Sequence, residues 1–197
     1  MKNIMKHKLV LVLILFFAVQ ITACGGGSTE AGETEDSGTQ AASENSQENQ
    51  GNSSLEKGPF SLSWELTDDR VFFTLSAETT GWVALGIDPE RSMLGADFII
   101  GYVSGGEVSV ADHYGNSRYS HQDDSAGGGS TNIADISGSE SGGTTTISFS
   151  IPLAPDDPRD KQLEPGRTYT ILLAHGGNGE DNFKSAHTTK TRAEISL

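Results

Sequence analysis

Met93 stands between Arg91-Ser92 and Leu94-Gly95, outside any apolar run. That is an unusual place for a methionine whose only task is to fill a core. A thioether there offers a soft lone pair suited to haem iron or copper. The imidazoles available to complete such a site are His113, His121, His175 and His187. His113 follows Asp112 at the end of an apolar-alternating run, His175 precedes Gly176-Gly177, and His187 comes a few residues before the last such run. His121 sits among Gln122, Asp123 and Asp124, a hydrophilic setting that predicts a solvated ring. The carboxylate pairs Asp123-Asp124 and Asp156-Asp157 also fall in loop-like sequence, where adjacent acids solvate turns. No Gly-x-Ser-x-Gly elbow, His-Glu-x-x-His helix or phosphate-binding loop is present, so the sequence gives little support to hydrolysis and reads as non-enzymatic.

The remaining reactive residue is Cys24, the chain's single cysteine. Lys2, Lys6 and Lys8 precede an apolar run from Leu9 to Ile21, which has signal-peptide proportions and is short for a membrane span. The run closes on Ile21-Thr22-Ala23-Cys24, which resembles the lipobox of bacterial lipoprotein signals. Residues 1–23 are therefore expected to be a signal peptide, and Cys24 a lipidated (palmitate-type) N-terminus on the extracytoplasmic face of a cell membrane or outer membrane. Two or three acyl chains would suffice as an anchor at ~0.8 kcal/mol per buried methylene. With Cys24 consumed, no thiol is left for disulfides, Cys-rich zinc sites, thiol catalysis or Cys-x-x-Cys-His haem attachment.

Residues 24–57 carry Gly, Ser, Glu, Gln, Asn and Thr with no aromatic side chain, too little apolar surface to offset ordering entropy. They read as an acidic tether reaching on the order of 30 Å. Residues 58–197 are one domain's worth of chain. Phe60, Leu62, Trp64 and Leu66 alternate with polar neighbours, as do Val71, Phe73 and Leu75, and period two means half-buried strands. Further strands are expected over 81–87, 97–103, 107–112, 144–153, 168–175 and 191–197, with loops over 115–143 and 155–166. The expected fold is all-β, an antiparallel immunoglobulin-like sandwich of about eight or more strands. The net charge is −14, and loss of the three signal lysines takes it to −17. Such a chain lacks the basic patch that nucleic acid requires.

The order Gly81-Trp82-Val83-Ala84-Leu85-Gly86-Ile87, then Met93-Leu94-Gly95-Ala96-Asp97, then Gly101-Tyr102-Val103 resembles the DOMON domain family. Asp112-His113-Tyr114-Gly115, Thr144 to Phe149, Ala174-His175-Gly176 and Arg192-Ala193-Glu194-Ile195 continue the likeness. Some members of that family are similar to the cytochrome domain of cellobiose dehydrogenase and hold a non-covalent haem b between a methionine and a histidine. The resemblance implies Met93 and His187 as axial ligands, with His175 as the competing imidazole, and Trp82 and Tyr102 as walls of the porphyrin pocket. Ala193 departs from the glycine that often follows the arginine in the family's last strand. With both axial positions filled, the iron would carry single electrons, and the acidic surface would suit a basic redox partner protein. Two other readings stand beside it. One is a surface module capturing a sugar or other small ligand on Trp82, Tyr114 and Tyr119, with a calcium ion at Gly179-Glu180-Asp181-Asn182. The other is copper on Met93 with His113, His175 or His187.

Overall fold

Period-two alternation builds two layers whose apolar faces meet. A computed structural model describes residues 53–197; the predicted signal peptide, Cys24 and most of the predicted tether lie outside the described residues. The strands are β1 (Ser53–Lys57), β2 (Phe60–Leu66), β3 (Arg70–Ala77), β4 (Val83–Ile87), β5 (Asp97–Ser104), β6 (Glu107–Tyr114), β7 (Gln122–Asp123), β8 (Ala134–Ser141), β9 (Thr144–Pro152), β10 (Thr168–His175) and β11 (Thr189–Ser196). One sheet runs β1-β2-β3-β9-β8 and the other β11-β10-β4-β5-β6-β7, with every neighbouring pair antiparallel. The protein is thus an all-β sandwich, as its alternation predicts.

The inter-sheet core takes every second residue of the central strands. Leu62, Phe73, Leu75 and Phe149 from the first sheet meet Leu85, Ile99, Ile171 and Leu173 from the second, all essentially inaccessible to water. Burial of each such side chain contributes roughly 1.5–3 kcal/mol. The indole N–H of Trp64 donates to the Ser196 carbonyl at 3.0 Å, tying the two sheets at one end.

Three strands depart from the sequence-based expectation. β1 starts at Ser53, so the folded unit begins inside the tether expected for residues 24–57; the half-buried Leu55 packs on the core and the strand pairs β2 along its whole length. β7 and β8 occupy the stretch 115–143 that reads as loop. β8 is exposed on almost every residue, so it has no apolar alternation to betray it. Its ladder with β9 and the hairpin between them hold it in place. Gly142 and Gly143 form that turn with φ of 62° and 82°, the left-handed pair a two-residue hairpin of this type needs.

β4 is buried on both faces. Val83, Leu85 and Ile87 enter the core, whereas Ala84 joins Trp82, Ala96, Phe98 and Ile100 in a second apolar cluster on the outer face of the six-stranded sheet. That outer cluster carries the site.

Candidate functional site

Small side chains on the outer face leave room above the sheet. Two adjoining clefts of about 500 and 530 Å³ open there, and both are lined by Met93, Phe98, Tyr119, Ala174 and His187. Each volume falls in the range of small-molecule and cofactor sites, ~300–1,000 Å³. The first cleft adds Trp82, Ala84, Ile100, His121 and Phe183; the second adds Arg118, Lys190 and Arg192.

Met93 is fixed by its backbone. It lies in a tight turn closed by hydrogen bonds from Glu90 N to Leu94 O (2.9 Å) and from Leu94 N to Arg91 O (3.0 Å). The turn is stitched to the segment after β6 by Gly95 N to Gly115 O and Gly115 N to Ala96 O, both 2.8 Å. Gly115 is required by the close approach: a Cβ there would sit 1.7 Å from the Met93 carbonyl oxygen. The thioether side chain, half-buried, packs against the outer cluster. His187 approaches from the other side, exposed, on the loop leading to β11, whose Thr188 N donates to His175 O at 2.8 Å.

Trp82 lines the cleft floor rather than the inter-sheet core, and its indole N–H donates to Ser185 Oγ at 2.8 Å, which pins the loop bearing His187. Tyr102 does not line the cleft, contrary to expectation. It stands behind Phe183, with ring centroids 4.9 Å apart, and Phe183 is the residue that faces the cavity. His175 is also placed elsewhere. Strand alternation sends it inward with Tyr169, Ile171 and Leu173, against Phe60 at 5.5 Å, with Nδ1–H donating to the Gly176 carbonyl at 2.7 Å, while Ala174 takes the cleft side. Of the aromatic trio Trp82, Tyr114 and Tyr119, the cleft collects the first and third; Tyr114 lies under the Arg159 guanidinium instead. In the Gly179 to Asn182 loop the Glu180 carboxylate accepts the Gly177 N–H at 2.8 Å.

His121 is the residue that sequence reasoning missed. It is half-buried in the cleft wall, 5.6 Å from the Phe98 ring, with its Nδ1 2.9 Å from Nδ1 of His113, so one ring donates the single proton between them. Burial, with His113 beside it, pushes the His121 imidazole down to about 4, and burial lowers His113 as well. The pair is therefore neutral near pH 7. The signal was faint: the register Phe98↔His113 puts His113 on the outer face, but only the fold returns His121 to it.

Comparison with known proteins agrees with this architecture. The family model described as "DOMON domain" matches residues 56–176, a span that holds Met93 and stops short of His187. Mouse DBH-like monooxygenase protein 2 and protein 1 are each 29% identical over 119 residues, 60% of this chain. The chain spans about a fifth of their length, 18% and 19%. In fold it is similar to the cytochrome b domain of pyranose dehydrogenase from Coprinopsis cinerea (TM-score 0.53, 9% identity, 70% of this chain and 76% of that one). The cytochrome domain of Myriococcum thermophilum cellobiose dehydrogenase is equally near (TM-score 0.53, 13% identity, 73% and 80%). With more than half of its length matched by the family model, the chain belongs to the DOMON domain family.

Proposed function

We propose that this DOMON domain is an extracytoplasmic, lipid-anchored electron carrier that binds haem b on the outer face of its six-stranded sheet, with Met93 and His187 as axial ligands. The observation that carries the reading is that these two residues, far apart in sequence, line both of the adjoining clefts on this face. Three features of the residues fit the group. A thioether and an imidazole are a donor set suited to haem iron. The floor of Trp82, Ala84, Phe98 and Ile100 is apolar and keeps water off a macrocycle lying on it. Arg118, Lys184, Lys190 and Arg192 line the clefts, four of the ten lysines and arginines between residues 53 and 197, and they would face propionate carboxylates. Haem held there would supply one-electron redox chemistry.

The chain's own part is to position and to exclude. The turn stitched to Gly115 presents the sulfur, and Trp82 through Ser185 steadies the loop of His187. A neutral His113–His121 pair closes the wall without adding charge to it. If Met93 and His187 both held the iron, the group would supply one-electron transfer and leave oxygen no place to bind, the behaviour of a carrier rather than a catalyst. Cys24 would hold the domain on the membrane through its acyl chains, and the acidic surface would steer it to a basic redox partner.

The test is haemin titration of the protein followed by dithionite. Sharp reduced α and β bands are expected, lost in Met93→Ala and in His187→Ala and kept in His175→Ala, while Cys24→Ser releases the protein from membranes. No haem uptake, or bands unchanged in both ligand variants, refutes the ligation. One observation favours a second reading: Tyr119, 85% exposed, lines the same cleft as Trp82, as in a surface that captures small ligands such as sugars. Thermal stabilisation by a glycan, with no haem uptake, would select that reading.

A further inference from the structure

A separate set of ionisable groups gathers on the side of β5 and β6 away from the cleft. Asp97 opens β5, Asp112 lies near the end of β6, Asp124 follows β7, and Asp157 and Asp160 come from the loop after β9. One oxygen each from Asp97, Asp112 and Asp160 lie within 4.8 Å of one another, and so do oxygens of Asp124, Asp157 and Asp160. Asp160 belongs to both triplets.

Such a gathering of like charges needs an opposite one. Among the described residues, neither side-chain ion pair involves any of the five. Arg159, from the same loop, acts on Asp124 and Asp157 at a distance but donates its own hydrogen bond to the Gly127 carbonyl and lies over the Tyr114 ring at 4.7 Å, so one cation stands against five acids without pairing any. Backbone N–H groups and one side-chain amide orient part of the set: Arg159 N donates to Asp157 at 2.9 Å, Lys161 N to Asp97 at 3.3 Å, and Asn132 Nδ2 to Asp160. Asp124 receives nothing. Asp124 is 1% exposed, and no N–H or hydroxyl among the described residues donates to either of its carboxyl oxygens; it faces the carboxyl of Asp160, whose Oδ1 likewise lacks such a donor. Buried polar atoms are almost always satisfied, so two facing carboxyls with three oxygens that no N–H or hydroxyl reaches call for a proton or a cation between them.

We propose that this cluster is a calcium site, held by Asp124, Asp157 and Asp160, with Asp97 and Asp112 closing its inner side. An all-oxygen donor set selects a hard cation. Calcium accepts a flexible shell of about six to eight oxygens, which suits carboxylates gathered from four segments, whereas magnesium demands a strict octahedron and prefers to keep its own waters. The ion would bind together the ends of β5 and β6, the turn after β7 and the loop after β9. Asp97 precedes Phe98 and Asp124 follows His121 by three residues, so calcium would also steady the cleft wall.

The test uses protein stripped with EDTA and dialysed metal-free, titrated with CaCl2 by calorimetry and followed by thermal unfolding with calcium, magnesium or EDTA. Saturable calcium binding and a higher Tm are expected, with magnesium weaker. Asp124→Asn and Asp160→Asn should weaken calcium binding by on the order of tenfold or more, and Asp156→Asn, at the exposed neighbour of Asp157, should leave it unchanged. Each variant should also melt in EDTA at or above the wild-type Tm, because a repelling charge is gone; that keeps a lost calcium response distinct from failure to fold. The proposal is overturned by no binding heat and no Tm change at millimolar calcium, or by an equal response in Asp124→Asn and Asp160→Asn; the cluster would then hold shared protons.

Discussion

Replacing Gly115 with alanine tests whether the Met93 turn is set by a backbone contact. The added Cβ would lie 1.7 Å from the Met93 carbonyl oxygen, 2.7 Å from its carbon and 3.2 Å from Ala96 N. No flexible side-chain end is among these atoms, so relief requires the turn and the strand end to separate. Overpacking of this kind costs ~1–3 kcal/mol. Separation also stretches the two 2.8 Å hydrogen bonds that Gly115 makes with Gly95 and Ala96, at about 1 kcal/mol each. The total is roughly 3–5 kcal/mol, which at ~2–4 °C per kcal/mol for a domain of this size lowers Tm by on the order of 6–20 °C. Thermal unfolding by circular dichroism measures it, with the exposed Ser117→Ala alongside. Adding Met93→Ala to Gly115→Ala should bring no recovery, because the obstruction is a main-chain carbonyl. A Tm within 2 °C of wild type (about 1 kcal/mol or less), or rescue by Met93→Ala, would refute the reasoning.

Trp82→Phe keeps the ring but loses the hydrogen bond to Ser185; on the proposed haem site, the freer His187 loop should weaken haemin binding roughly 2- to 10-fold at ~0.5–1.5 kcal/mol, read by titration, with little change in Tm. His121 should make stability fall with acid. Its imidazole titrates at about 4 when folded against an ordinary 6.5, so its contribution is complete above pH 6.5 and lost as pH drops towards 4. Asp112 and Asp124, raised to about 7, act in the opposite sense, gaining stability as pH falls below 7. The difference between wild type and His121→Asn therefore isolates the histidine: denaturation at pH 7.5, 6 and 4.5 should find that difference moving steadily in the variant's favour, and a constant difference would contradict the burial of His121.

The central strands were legible in the sequence because a half-buried strand must alternate, and Phe60 to Leu66 or Thr168 to His175 can alternate in only one way. The same alternation settled which face each residue takes once the strands paired. β1 and β8 escaped because edge strands are held by ladder hydrogen bonds on one side, which any residue supplies, and β8 is exposed along nearly its whole length. Met93 announced itself through an apolar side chain beside Gly95 with no apolar run to join. His121 gave the opposite impression, since its hydrophilic neighbours Gln122 and Asp123 do face solvent or the rim; the imidazole is buried by contact with His113, which local sequence cannot encode.

The acidic pairs divide the same way. Asp123 and Asp156 solvate their turns as adjacent loop acids do, whereas Asp124 and Asp157 turn inward and are buried. By itself, the sequence determined the layer architecture, the family likeness and the residue types available for chemistry, because these follow from local pattern and composition. The tertiary structure decided which of them meet: His187 in the clefts of Met93 and His175 on the opposite face, and five aspartates drawn from four segments into one cluster. Such meetings depend on which strands pair and how loops cross between sheets, and those are properties of long-range packing that no short window of residues contains.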